Sequence, residues 1–207
     1  MFRLNKTHIV IIKTFIHLVA LGWLVLTFYQ AIHDELGADP VEALLHFTGI
    51  GALNLLLLSL FVTPLTRFLK QALILKLRRL LGLYAFTYAA SHVVSYVLFE
   101  LQLDWSLLLS EIIKRPYITV GFAGFIILFI LAATSTQKIQ KALGKRWQTI
   151  HNWVYAAGLF IALHFIWSVK SDLIEPIIYW VILLLLLVTR RNKLKRTLTK
   201  KKLFVRS

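Results

Sequence analysis

The sequence predicts an all-α integral membrane protein, a bundle of six transmembrane helices. Of its 207 residues, 58% are hydrophobic, and the mean hydropathy is +0.74. A soluble domain is closer to half apolar. The apolar residues form repeated runs that lack the period-two alternation of a transmembrane barrel. Because the runs are repeated, they also exclude a soluble protein that carries one signal peptide.

Each apolar run is a candidate helix crossing a hydrocarbon core about 30 Å thick. The runs lie at about 9–31, 41–65, 80–101, 117–135, 147–169 and 176–189. Pro64 marks the expected end of the second run, and Pro116 opens the fourth. A short N-terminus, 1–8, and a basic tail, 190–207, flank the transmembrane domain, 9–189.

Small residues inside two of the runs indicate where helices approach closely. The second run contains Gly49, Gly51 and Ala52, and the fourth contains Gly121 and Gly124. Helices in membranes pack through such small residues. We therefore expect both helices to lie inside the bundle.

The charged residues predict the orientation of the bundle. With six spans both termini lie on the same side of the membrane. Of the 24 Lys and Arg residues, only Lys114, Arg115 and Lys170 lie on the other side. The positive-inside rule then places both termini in the cytoplasm. The net charge of +15 comes from basic residues that cluster beside the apolar runs, where they orient the chain and contact membrane lipid. We therefore expect no nucleic-acid partner. The outer segment 100–115 is expected to be a loop or an interfacial helix near Trp105.

Missing residues and motifs exclude several kinds of redox site. The chain has no cysteine, which excludes disulfides, iron–sulfur clusters and cysteine-ligated haem. It also has no Walker loop and no dinucleotide fingerprint between a strand and a helix. We therefore expect no soluble domain of its own for NAD(P)H.

Two histidines in different runs are predicted to share one depth in the outer half of the membrane. His92 lies in the third run and His164 in the fifth. An ionisable side chain at membrane depth is a functional hypothesis by default. A b-type haem needs two imidazoles from different helices that face each other, so this pair is the predicted ligand set. In the alternative interpretation, each imidazole only joins helices through a hydrogen bond.

The inner half of the membrane holds His151 and His17. His151 precedes His164 by 13 residues, which is about 140° around an ideal helix. The two cannot face one groove unless the helix is locally rewound. A second haem bound by His151, with His17 as its partner, is a hypothesis, and interhelical hydrogen bonding is the alternative. His46, which is predicted to lie in the outer half with His92 and His164, could contact a haem propionate or line a quinone pocket.

Two arginines and one tryptophan near the cytoplasmic side have two interpretations. Arg78 and Arg79 are typical topology signals, but guanidinium groups also bind haem propionates or a flavin phosphate. Trp147 is typical of an interface anchor and could also stack on a flavin.

The local motifs resemble the bacterial MsrQ (YedZ) family, the haem-binding membrane subunits of a methionine sulfoxide reductase system. The matching stretches are Leu36-Gly-Ala-Asp-Pro-Val41, His46-Phe-Thr-Gly49, Thr63-Pro-Leu65, Arg78-Arg-Leu-Leu-Gly-Leu83, Ser91-His-Val-Val-Ser-Tyr96, Arg115-Pro-Tyr117, Thr134-Ser-Thr136, Gly144-Lys-Arg-Trp-Gln148, His151-Asn152, His164 and Trp167-Ser-Val-Lys170. They extend from Leu36 to Lys170, in or beside four of the six runs, and together they are specific.

The resemblance implies a ferric-reductase-like transmembrane domain in the bacterial inner membrane. It implies haem b, one or two per chain, with His92, His151 and His164 as ligand candidates, and FMN as a second cofactor. It also implies a periplasmic molybdopterin-containing MsrP-type catalytic subunit as the partner. Electrons would come from the quinone pool or from a cytosolic flavin reductase.

The sequence departs from the wider superfamily at one place. There, two helices each carry a pair of histidines about 13 or 14 residues apart. Here the positions 13 and 14 residues before His92 are Arg79 and Arg78. The resemblance therefore favours one well-formed haem site and a modified inner site.

Three functions remain open from the sequence. The first is an electron conduit that delivers electrons to a periplasmic enzyme. The second is a stand-alone transmembrane oxidoreductase that reduces quinone or metal. The third is a transporter or scaffold with structural histidines, and the lack of carboxylates inside the central runs counts against a proton-coupled carrier.

Overall fold

The computed structural model describes residues 4–169 and 171–189, and over these ranges the regular structure is helical, as predicted. The helices are α1 (Lys6–Ile32), α2 (Pro40–Leu69), α3 (Leu77–Ser95), α4 (Trp105–Lys114), α5 (Pro116–Ala133), α6 (Gln137–Leu143), α7 (Lys145–His151), α8 (Val154–Ser168) and α9 (Ile174–Val188). A 3₁₀ turn, Ala72–Lys76, leads into α3, and a π-helical turn, Tyr96–Glu100, follows it. The predicted basic tail, 190–207, lies outside the described residues.

Five helical segments in the described ranges are long and apolar enough to cross a membrane. They are Lys6–Ile32, Pro40–Leu69, Ala72–Glu100, Pro116–Ala133 and Lys145–Ser168. The sixth predicted span corresponds to α9, which has 15 residues. At about 1.5 Å per residue it is shorter than the hydrocarbon core. The chain is thus a multi-pass membrane protein with five candidate spans and one shorter apolar helix.

The predicted end of the second span at Pro64 is wrong. Helix α2 contains Pro64 and continues to Leu69. Proline is tolerated inside membrane helices because neighbouring groups can satisfy the freed backbone. The helix ends at Lys70, which adopts a left-handed conformation (φ 53°, ψ 34°) and donates its N–H to the Thr66 carbonyl.

The segment 100–115 contains a helix, which was one of the two alternatives predicted for it. Helix α4 has no buried residue, and Trp105 opens it. The Asp104 carboxylate caps it by accepting the N–H groups of Ser106 and Leu107 at 2.9 and 3.0 Å. Hydrogen bonds from Ser106 and Leu107 lower the pKa of the Asp104 carboxyl. The side chain therefore stays ionised as the helix N-cap near neutral pH.

Two helix pairs form most of the packing. Helix α2 packs along α3, and α5 packs along α8, while α3 touches α5 and joins the two pairs. Helix α9 covers α8 and α2. The buried side chains at their junction are Leu53, Leu56, Leu60, Ala85, Leu128, Ala157, Ala162 and Leu183. The facing surfaces of α3 and α8 therefore lie inside the bundle.

The small residues lie at close helix contacts, as predicted. A Cβ atom at Gly51 would overlap the ring of Tyr88 on α3, and one at Gly124 would lie 2.9 Å from Ile161 on α8. The Tyr88 hydroxyl also donates to the Ala20 carbonyl at 2.7 Å. Gly51 thus lets one tyrosine link α1, α2 and α3.

This contact yields a stability prediction. Gly51→Ala should destabilise the protein by about 1–3 kcal/mol, because the added methyl group overpacks the α2–α3 contact. Gly82→Ala is the matched control, because a Cβ there meets nothing within 4 Å. Thermal unfolding in detergent measures the difference. Equal midpoints for the two variants would contradict the close contact.

Candidate metal centre

The structure brings His92 and His164 together, as the sequence predicted. His92 lies on α3 and His164 on α8, and both rings are partly buried between the two helix pairs. Their ring centroids are 6.2 Å apart, and the ring planes cross at 79°. Two imidazoles from different helices therefore face each other inside the bundle.

Backbone carbonyls fix which nitrogen of each ring carries the proton. Nδ1 of His92 lies 2.9 Å from the Leu45 carbonyl, and Nδ1 of His164 lies 2.8 Å from the Tyr117 carbonyl. A carbonyl can only accept, so each Nδ1 donates and each Nε2 keeps its lone pair. Metal-binding histidines usually donate their second nitrogen in this way.

The distance between the rings suits one shared metal atom. A metal–imidazole bond is about 2 Å long, and the ring centroid lies about 1 Å beyond the bonded nitrogen. Two imidazoles on opposite sides of one metal therefore have centroids about 6 Å apart. The observed separation of 6.2 Å matches that arrangement.

Two glycines make room for the two rings. A Cβ at Gly49 on α2 would lie 3.2 Å from Nδ1 of His92, and one at Gly121 on α5 would lie 2.6 Å from Nδ1 of His164. Each ring therefore lies against bare backbone of the neighbouring helix. The sequence predicted these glycines as helix contacts but did not connect them to the histidines.

The described residues offer these two histidines and no larger ligand set. Within 4–169 and 171–189, no three His, Cys, Asp or Glu side chains are grouped to hold a metal ion. A metal on the His92–His164 axis would need its other ligands from a cofactor. A macrocycle supplies four such ligands, so the donor set fits a six-coordinate porphyrin iron.

A polar network between α4 and the start of α5 supports the His164 side of the centre. Arg115 contacts Glu111 at 2.6 Å and donates to the Tyr117 hydroxyl at 3.1 Å. Tyr96 donates to the same Glu111 carboxylate at 3.3 Å. The hydrogen bond to Tyr117 and the charge of Glu111 raise the pKa of Arg115, so it stays protonated. This network anchors Tyr117, whose carbonyl binds His164.

His151 lies on a separate short helix at the inner end of the bundle. Two residues, Asn152 and Trp153, separate α7 from α8. The helix is thus locally interrupted between His151 and His164. The sequence required such an interruption if both histidines were to face the same groove. No direct contact between the two rings is found among the described residues.

The surroundings of His151 leave one nitrogen unsatisfied. Nδ1 lies 3.2 Å from the Trp147 carbonyl, and the ring stacks on the Trp147 indole with centroids 4.0 Å apart. Nε2 is buried without a well-formed hydrogen bond, and the backbone of Leu131 on α5 is the nearest polar group recorded for the ring besides Trp147. Arg78 is close enough for its charge to act on the ring. The structure therefore groups three of the predicted inner residues: His151, Trp147 and Arg78.

The other predicted inner residues lie elsewhere. Nδ1 of His17 lies 2.6 Å from the Tyr84 hydroxyl, so its observed partner is on α3 and is not His151. The depth comparison could not anticipate this because it ignores the direction of each side chain around its helix. Arg79 is exposed.

His46 lies away from the two facing imidazoles. Its Nε2 is 3.9 Å from the Glu175 carboxylate on α9, and both side chains are substantially exposed. It therefore belongs to the contact between α2 and α9. Glu175 could not be predicted as its partner, because nothing in the sequence pattern pairs these two helices.

Comparison with known proteins identifies the class of transmembrane protein. Residues 48–163, which include His92 and His151, match the family model described as the ferric reductase like transmembrane component. The chain is thus a ferric-reductase-like transmembrane protein. No solved structure matches it.

Curated relatives define the family more closely. The chain is 46% identical to a protein of Cronobacter sakazakii over 94% of its own length and 98% of the relative. It is 44% identical to a protein of Xanthomonas oryzae pv. oryzae over 91% and 89%, and 44% identical to one of Klebsiella pneumoniae over 94% and 98%. Each is named "Protein-methionine-sulfoxide reductase heme-binding subunit MsrQ". The chain belongs to the MsrQ family, and the resemblance noted in the sequence is confirmed.

The outer network yields a second prediction. Glu111→Gln should lower stability by about 1 kcal/mol, because Arg115 and Tyr96 lose a charged acceptor that is only partly open to water. Glu100→Gln is the control, since Glu100 is an exposed carboxylate next to the same outer segment. Thermal unfolding reports the change. If both variants unfold like the parent protein, the network does not anchor this end of the bundle.

Proposed function

We propose that His92 and His164 are the axial ligands of one b-type haem, and that the chain is a membrane electron-transfer subunit of a methionine sulfoxide reductase system. The observation that carries the proposal is the facing pair of imidazoles, 6.2 Å apart, with both Nδ1 atoms on backbone carbonyls. The relatives' name, which calls them heme-binding subunits, supports it.

In this proposal the protein controls the site through its own side chains and backbone. When bound, the haem supplies a one-electron carrier between its ferric and ferrous states. The Leu45 and Tyr117 carbonyls orient the two imidazoles and increase their basicity. Gly49 and Gly121 hold the rings against backbone, while the surrounding apolar side chains exclude water. These features would hold a bound haem between His92 and His164 in a fixed position.

The proposed topology follows the charge pattern. We place α9 as a sixth crossing, with both termini in the cytoplasm of a bacterium and the chain in the inner membrane. Under this topology the Arg115–Glu111 network faces the periplasm. The His92–His164 pair then lies nearer the periplasmic side, where a partner would accept electrons.

The proposed partner is a periplasmic molybdopterin-containing catalytic subunit of the MsrP type. The relatives are named as subunits of a protein-methionine-sulfoxide reductase, which implies a second, catalytic chain. Electrons would enter from quinol or from a cytosolic flavin reductase. The alternative is a stand-alone oxidoreductase that reduces quinone or metal without a partner.

The inner cluster is the proposed second cofactor site. Buried Nε2 of His151 is available as a ligand or hydrogen-bond acceptor, Trp147 offers a ring, and Arg78 offers a cation. We propose FMN here, with its phosphate near Arg78 and Arg79. A second haem ligated by His151 is the alternative.

A reduced-minus-oxidised absorption spectrum tests the central assignment. His92→Ala and His164→Ala should each abolish the low-spin haem spectrum while the protein stays inserted, because one axial ligand is removed. His33→Ala is the control, since His33 is an exposed residue that contacts Tyr29. A parent spectrum in both variants would contradict the ligand assignment.

Haem extracted from the same samples decides the inner site. About one haem per chain leaves His151 free for another role, such as binding FMN, and about two support a second haem there. A chain with no haem, purified from cells able to supply it, would overturn the electron-transfer proposal.

The glycine next to His164 gives a separate prediction. Gly121→Ala should displace the His164 ring from the Tyr117 carbonyl and so weaken haem binding or shift the haem potential, because the new Cβ would lie 2.6 Å from Nδ1. Gly22→Ala is the control, as a Cβ there meets nothing within 4 Å. Redox titration of the two variants compares them. Identical potentials and haem contents would mean that Gly121 does not position the ligand.

A further inference from the structure

A groove between α5 and α7 faces outward at the end of the bundle where His151 lies. We call it the α5–α7 groove, and it is lined by Ile127, Ile130, Leu131, Ile150 and Trp153. Its volume is about 280 Å³. Ile130 and Trp153 are 44% and 56% exposed, so the groove opens on the outside of the bundle. In a membrane this surface meets lipid, and its lining suits an apolar chain.

The helix that forms one wall of the groove also carries a cation. Arg146, Ile150 and Trp153 are spaced i, i+4 and i+7, which places them on one side of a helix. The chain stays in a hydrogen-bonded turn across the interruption after α7, since the N–H of Trp153 donates to the Ile150 carbonyl at 3.0 Å. Arg146 is exposed and therefore lies about one helical turn beyond the apolar lining.

Further cations surround this end of the groove. The exposed basic residues of α6 and α7 are Lys138, Lys141, Lys145 and Arg146. Lys138 and Lys141 share one side of α6, whereas Ile139 and Leu143 on its other side are partly buried. Helix α6 also contacts α7. The cations of both helices thus form one basic rim beside the groove.

No acidic residue balances the charge of this rim. The sequence has no Asp or Glu between Glu111 and Asp172, and none in the tail 190–207. Among residues 4–169 and 171–189, the ion pairs are His46–Glu175 and Arg115–Glu111, and neither involves α6 or α7. Clusters of Lys and Arg next to a membrane helix attract anionic lipid headgroups.

The rim and the groove together define the ligand. A basic rim alone would attract any anion, and an apolar groove alone would accept any acyl chain. Here the two lie about one helical turn apart on the same side of α7, so one molecule with an anionic head and an acyl tail can contact both. The Trp153 indole lies between them, where tryptophan is favoured at the level of lipid headgroups.

We propose that the α5–α7 groove binds one anionic phospholipid of the phosphatidylglycerol type. Its phosphate contacts Arg146 and the lysines of α6, and one acyl chain lies against Ile130, Ile150 and Trp153. The bound lipid holds the inner end of the bundle together. Helix α7 is linked to the end of α5 by the hydrogen bond from Nε1 of Trp147 to the Thr134 carbonyl at 3.0 Å, and the lipid adds contacts on the outward side of the same short helix.

Native mass spectrometry of the full chain in detergent tests the headgroup. Dipalmitoyl phosphatidylglycerol should bind about tenfold more tightly than dipalmitoyl phosphatidylcholine, because the basic rim repels the choline cation. Arg146→Gln should weaken phosphatidylglycerol binding about fivefold. Arg67→Gln is the matched control, since Arg67 is an exposed cation in the last turn of α2. Equal affinities for the two lipids, or an unchanged affinity in Arg146→Gln, would overturn the proposal.

A photoreactive lipid tests the apolar part of the site. Phosphatidylglycerol with a diazirine in its acyl chain should label the stretches 127–131 and 150–153 of the full chain in nanodiscs. Trp153→Ala should reduce this labelling several-fold, because one wall of the groove is lost. Trp105→Ala, which removes an exposed tryptophan of α4, should leave it unchanged. Labelling confined to other helices would contradict the proposed position of the lipid.

Inorganic phosphate distinguishes a lipid site from a simple anion site. Dipalmitoyl phosphatidylglycerol should raise the thermal unfolding midpoint by about 4 °C, because a ligand that binds only the folded chain stabilises it. Phosphate at the same concentration should neither raise the midpoint nor displace the lipid. If phosphate does both, the basic rim binds an anion without the groove, and the proposal fails.

The lipid site is independent of the proposed haem site. His92→Ala should bind phosphatidylglycerol as the parent protein does, because His92 lies on α3 and does not line the groove. A failure of the haem assignment would therefore leave these lipid measurements unaffected. Loss of lipid binding in His92→Ala, with its thermal stability unchanged, would instead contradict the proposed location of the lipid.

Discussion

The arrangement depends on two hydrogen bonds from imidazole to backbone. His92 and His164 each donate Nδ1–H to a carbonyl of a neighbouring helix, Leu45 on α2 and Tyr117 on α5. Each bond fixes a tautomer and a ring orientation at once. Because the acceptors are backbone atoms of packed helices, the ligand geometry is tied to the α2–α3 and α5–α8 contacts. Residues far from the rings can therefore affect the site only by moving these helices.

The bundle distributes its polar groups in a way that suits electron transfer across a membrane. The facing imidazoles occupy the interior, the Arg115–Glu111 network lies at the outer surface, and His151 with Trp147 lies at the inner end. Each of these groups is expensive in an apolar environment unless it is paired or used. These groups therefore lie at separate places in the bundle.

Much of the fold and the main pair of residues could be predicted from the sequence, because apolar runs and depth along a helix are local properties. The apolar runs predicted the positions of the long helices. Depth along the helices predicted that His92 and His164 lie close together. Properties set by tertiary contacts were missed. Helix α2 continues past Pro64, since packing outweighs the lost backbone bond. His17 turns toward Tyr84, and the pairing of α2 with α9 through Asn54 and Tyr179 leaves no periodic signal.

The most direct test of the central claim is low-temperature electron paramagnetic resonance of the oxidised, haem-loaded chain. Imidazole planes crossing near 79° predict the strongly anisotropic low-spin ferric signal of perpendicular axial ligands. That signal should disappear in His92→Ala and in His164→Ala. A high-spin signal, or the rhombic low-spin signal of parallel imidazoles, in the parent protein would contradict the claim that these two histidines hold one iron in the observed orientation.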